Sequence, residues 1–331
     1  MLVVMSARQS GTAMAMGSLL LGTVVGCVGM PLGGADGAGP LPGLTAPVTL
    51  AEVKASWNLT ADASNLYWTT DETHYGDLAS VSQRGGPASV IAPATGFHTL
   101  MGSADGWIYG MDSTTTTLWR LPAAGGEKQV FVEQVGWWCE VGAVTAGAVW
   151  CGFGVGLARI DLGTRAPVRV GSSGGYNAQS LAVDRDHTYW TAGGELLAVD
   201  HRGGPTRVLL GNKGAGPTWA NLVAADDRWV FAATGQSIVR IDPLTGRAAT
   251  LRAGLVTALA VRHGMVFWAD AVTGDLGATP EQGGPDVVVE RGEAGQVREL
   301  VATDLGLFWF GQLPLYTDRG LLRGAYFTFP P

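Results

Sequence analysis

Seven aromatic residues recur along this chain at almost constant spacing: Trp68, Tyr109, Trp150, Trp190, Phe231, Trp268 and Trp309, separated by 41, 41, 40, 41, 37 and 41 residues. Each stands nine positions after an apolar residue, in turn Leu59, Leu100, Val141, Leu181, Leu222, Leu259 and Leu300. A unit of about 40–45 residues assembled from short strands is the repeat of a β-propeller blade. The fourth unit shows the pattern. Its apolar run ends at Val183, a polar turn follows, and Thr188-Tyr189-Trp190-Thr191 is β-branched and aromatic as a strand requires. Gly193 and Gly194 break that strand, and Gly203-Gly204-Pro205 turns the chain into a fourth one. Every run is too short for a stable helix.

The same third turn recurs as Arg84-Gly85-Gly86-Pro87, Gly125-Gly126 and Gln282-Gly283-Gly284-Pro285. Glycine supplies the positive φ that tight hairpins need. The last unit is truncated, because little chain remains after Trp309 for a full fourth strand. Pro47-Val48-Thr49-Leu50-Ala51 has the composition of that missing strand. We therefore expect an all-β chain: a seven-bladed propeller of four-stranded antiparallel blades, its ring closed by an N-terminal strand that removes two open sheet edges.

Leu66-Tyr67-Trp68-Thr69-Thr70, Thr188-Tyr189-Trp190-Thr191 and Val266-Phe267-Trp268-Ala269-Asp270 resemble the YWTD repeats of lipoprotein-receptor propellers. That family is six-bladed and keeps its Asp more strictly. The repeats over residues 47–331 are more similar to bacterial extracytoplasmic propellers of the TolB-like and NHL-like kind, a resemblance that implies the fold and leaves the activity open.

The N-terminus is a separate object. A mostly apolar, small-residue stretch ends in Val24-Val25-Gly26-Cys27, which resembles a bacterial lipobox with Cys27 as the lipidated residue. An ordinary secretory signal and an uncleaved anchor are the alternatives. Residues 1–26 then read as a lipoprotein signal peptide, 27–46 as a Gly- and Pro-rich tether and 47–331 as the propeller. This places the protein in the cell envelope, held to a membrane by lipid on the extracytoplasmic side. Cys139 and Cys151 flank the first hairpin of the third unit. A disulfide between them suits an oxidising compartment, with two buried free thiols as the alternative.

The net charge is −7, the lysines are Lys54, Lys128 and Lys213, and no basic patch is present, which argues against a nucleic-acid partner. In a propeller the blade-to-blade loops surround one mouth of the central channel. Residues at the start of each first strand there include Trp57, Phe97, His98, Trp138, Trp219 and Arg298, with Tyr176 slightly earlier in its loop. Rings beside hydrogen-bonding groups suit a small molecule, glycan, peptide or partner protein, and Arg298 adds a planar fork for a carboxylate or phosphate. The rings either line an open cup or pack down and plug the channel. The competing function is an extracytoplasmic lyase or hydrolase at the same mouth, of the kind seen in virginiamycin-lyase-type propellers, built on His98, Glu140 and Glu299. No local motif matches that class. No cofactor or metal motif is present either: no HExxH, no nucleophile elbow, no Gly-rich phosphate loop and no EF-hand.

Overall fold

Every aromatic anchor lands on the second strand of a sheet. The seven second strands are Asn65–Thr69, Trp107–Asp112, Ala148–Phe153, His187–Ala192, Val230–Ala233, Met265–Asp270 and Gly306–Gln312. The computed structural model describes residues 43–329 except 55–56, 71–75, 113–114, 212–219, 293–296, 298 and 313–318, with backbone alone at 54, 57, 312 and 319. Six blades are antiparallel four-stranded sheets in sequence order from channel to rim, the seventh is completed from the N-terminal side, and the seven first strands contact one another round a closed ring. No described residue is helical.

The anchors are buried because a wide ring is needed where two twisted sheets diverge. None of the seven is more than 3% exposed. The core is accordingly a series of layers between blades. Leu222, Ala224 and Phe231 of blade five pack with Leu259, Val266 and Trp268 of blade six, and Trp150 of blade three packs with Leu181 and Trp190 of blade four. The fit is close: a Cβ on Gly171 would stand 2.7 Å from the Trp190 ring, so only glycine serves there.

The turns explain themselves locally. In blade one the Asp62 carboxylate accepts the amides of Ser64 and Asn65, both at 2.7 Å, and the Tyr67 hydroxyl at 2.5 Å. Asp184 repeats this in blade four with Asp186, His187 and Tyr189. An Asp that satisfies its own turn amides, five residues before a Tyr that caps it, fixes the first hairpin. Third turns of blades one, two, four and six use paired glycines at positive φ, as at Gly203 (93°) and Gly204 (132°).

The seventh blade takes its fourth strand from the other end of the chain. Val48–Lys54 pairs antiparallel with Arg319–Thr328, Val48 opposite Gly324 and Lys54 opposite Arg319. The pairing extends ahead of residue 47. Gly43–Leu44 pairs with Thr328 and Phe327, and Thr45 exchanges hydrogen bonds with Tyr326. Adjoining first strands are also bridged by side chains at the channel mouth. Asn58 Nδ2 donates to the His98 carbonyl, Thr99 Oγ1 to that of Cys139, and Thr257 Oγ1 to that of Val297.

Candidate binding surfaces at the two ends of the channel

At the mouth formed by the blade-to-blade loops, the described residues divide. The Phe97 ring is 4% exposed and packs among Tyr67, Leu78 and Ile108 in the layer between blades one and two. Its neighbour His98 is exposed, and its ring meets the half-buried Trp138 edge-on, centroids 5.2 Å apart. Tyr176 is 61% exposed. Its ring lies over Gly193, where a Cβ would stand 2.5 Å from it, and the Ser173 hydroxyl bonds its carbonyl. Trp137 is stacked on Phe153 at 4.9 Å and so packs rather than projects. Trp57 begins the first strand of blade one, opposite Thr69; its side chain lies outside the described residues, as do Trp219, Arg298 and Cys27 entirely.

Among the described residues no group of three or more His, Cys, Asp or Glu side chains is placed to hold an ion. Glu140 is half-buried, and burial raises its pKa. Glu299 is 3% exposed. Burial pushes its carboxyl up to about 8, against the pull of hydrogen bonds from the amides of Asn58 and Leu59. Its Oε2 has no hydrogen-bond partner among the described residues.

The disulfide joins Cys139, just before the first strand of blade three, to Cys151 on its second strand, Cα atoms 5.2 Å apart. Both residues are fully buried.

At the opposite end, where first and third turns cluster, lies a cavity of about 410 Å³. First turns of blades six, seven, one and two surround it, contributing Arg262, Asp304, Asp62 and Asp105, with Gln83 from the third turn of blade one. Arg262 Nε donates to Asp304 Oδ1 at 2.9 Å, and Nη2 bonds the same oxygen. His263 Nε2 is 3.6 Å from that oxygen, and burial lowers the pKa of this imidazole. Sequence reasoning did not single out Arg262, Asp304, Asp62 or Gln83. The Asp-to-Tyr spacing shared by Asp62 and Asp184 was visible, but it marks a turn and not a cavity.

No family model and no curated protein matches this sequence. Similarity appears among solved structures. The extracellular domain of BT4673 from B. thetaiotaomicron superposes with a TM-score of 0.62 at 12% identity over 87% of this chain, which spans 40% of that one. The Neurospora crassa Pan2 WD40 domain gives 0.64 at 11% identity, covering 84% of this chain and 95% of the other. Virginiamycin B lyase from Staphylococcus aureus gives 0.61 at 10% identity, covering 86% and 99%. At such identities the likeness is one of architecture, and the architecture is that of a seven-bladed β-propeller.

Proposed function

We propose that this protein is a lipid-anchored, extracytoplasmic binding propeller that recognises a glycan, peptide or partner protein at the mouth formed by its blade-to-blade loops. The observation that carries the reading is the pair of aromatic positions kept out of the core on that face: Tyr176, 61% exposed over Gly193, and Trp138 held edge-on to exposed His98. A ring left in water costs hydrophobic free energy that a bound ligand would recover. The extracytoplasmic setting rests on the leader up to Cys27 and on the Cys139–Cys151 disulfide, a bond that persists in oxidising compartments. Binding is preferred to a lyase or hydrolase because Glu299, the buried acid at this end, accepts amides of the neighbouring blade.

The test is to screen the protein on glycan and peptide arrays and then assay Trp138→Ala and Tyr176→Ala against the hit. Loss of more than about 1 kcal/mol of binding, with stability changed by less than about 0.5 kcal/mol, supports the reading; large destabilisation with binding intact defeats it. Cys27→Ala should move the protein from the membrane to the soluble fraction, since the two acyl chains suffice for stable attachment. Wild-type protein already free of membranes would refute the anchor.

A further inference from the structure

The cavity at the turn end of the channel is built on the seam where the ring closes. Its walls come from blades seven and six on one side and from blades one and two on the other. Gln83, fully buried, fastens the seam. Its Nε2 donates to the Asp62 carbonyl at 2.6 Å, its Oε1 accepts the Thr303 hydroxyl at 2.7 Å, and its carbonyl accepts the Tyr326 hydroxyl at 2.7 Å. The Asp62 carboxylate is oriented by two amides and the Tyr67 phenol. Burial and the Asp62 charge hold that phenol protonated, so it remains a donor. The cavity is therefore rigid before any ligand arrives, which lowers the entropic cost of binding.

The lining is polarised. Arg262 gives Nε and Nη2 to one oxygen of Asp304, and both residues line the cavity. Across the cavity, round the arc from blade six to blade two, stand Asp62 and exposed Asp105. Ala61, Ala104, Val301 and Ala302 supply small apolar wall between the charged ends. The volume of about 410 Å³ is in the range of small-molecule sites, about 300–1,000 Å³. An anion alone would face Asp62, Asp105 and Asp304, and a cation alone would leave Arg262 answered by Asp304 only. A molecule carrying both charges, separated by a short polar backbone and bearing small apolar side chains, meets every wall with its complement.

We propose that this cavity binds a short peptide with free termini, its carboxylate against Arg262 and its ammonium against Asp62 and Asp105. The site is independent of the aromatic mouth and lies at the other end of the channel.

The experiment titrates the protein with alanyl-leucine by NMR, beside N-acetyl-alanyl-leucine and alanyl-leucinamide. The free dipeptide should bind saturably, with a Kd below about 10 mM, and each capped form at least about tenfold more weakly, the loss of one charge contact. Arg262→Gln should erase the preference for the free carboxylate, and Asp105→Asn should reduce the preference for the free amine. Ala104→Trp, which puts a large ring at a lining position, should abolish binding in protein that melts with wild type, whereas Tyr176→Ala should leave it unchanged. The proposal is overturned if the dipeptide does not saturate, if all three ligands bind alike, or if binding survives Ala104→Trp. Failure of Tyr176→Ala to affect an array hit would count against the mouth reading alone.

Discussion

Glu299 shows how much one side chain can be asked to do at a blade junction. Elsewhere neutral groups bridge adjoining first strands: Asn58, Thr99 and Thr257 donate across the gap, and Ser180 accepts from the amide of Val223. Between blades seven and one the bridge is a buried carboxyl accepting from Asn58 and Leu59, and burial is the cause that raises it. The carboxyl is raised from 4.5 to about 8, so the folded state holds a proton that the unfolded chain releases at lower pH. Its contribution is therefore full below pH 4.5 and is lost progressively as pH climbs towards 8. Glu299→Gln keeps an acceptor oxygen and removes the titration. We expect it to match wild type near pH 4.5 and to exceed it by a few kcal/mol at pH 8, at about 1.4 kcal/mol per unit. Denaturant unfolding at the two pH values measures this, and parallel pH dependence in both proteins would exclude it. Residue detail was the least legible part of the sequence. Phe97 and His98 are neighbours, and reading both as mouth residues ignored the alternation of a strand: Phe97 faces the core and His98 faces solvent.

At the scale of the element, the blade was legible because it is periodic. The nine-residue offset between Leu181 and Trp190 becomes a direct cross-strand pair, as it does for Leu259 with Trp268 and Leu300 with Trp309. The Gly-Gly third turns carry the positive φ their composition implied. The cavity was illegible for the opposite reason. It exists where Ala61, Ala104 and Ala302, far apart in sequence, leave space at strand ends, and no local pattern records an unfilled volume. Cysteine spacing did point to a bond: Cys139 and Cys151 bridge the first hairpin of blade three across 12 residues. In the chain-entropy model such a loop contributes about 3 kcal/mol. Replacing both cysteines by alanine should lower the unfolding free energy by about that amount in oxidised protein, while reductant under denaturing and refolding conditions should abolish the difference. A double variant as stable as oxidised wild type would show the hairpin held by packing alone.

For the whole molecule, the decisive contact is the one between its two ends. Arg319–Thr328 carries Gly306–Gln312 on one edge and Val48–Lys54 with Gly43–Leu44 on the other. The N-terminal strand also fills the layer between blades seven and one: Leu50 and Val53 are under 10% exposed and pack with Phe308, Phe310 and Leu322. Burying two such side chains is worth about 1.5–3 kcal/mol each, before any strand hydrogen bond is counted. Closure also makes every blade depend on both neighbours, whereas an open array of repeats would lose stability only at its end. Removing residues 43–54 should therefore lower the melting temperature of the entire ring, expose backbone amides of Arg319–Thr328 to hydrogen exchange and promote association through the bared edge. Removing 43–47 alone takes away the Gly43–Leu44 pairing and spares Leu50 and Val53, so its effect should be small. Melting curves, exchange rates and size-exclusion elution of the two deletions separate the cases. If the longer deletion melts and elutes with wild type, the ring is held by its first strands and not by this strand.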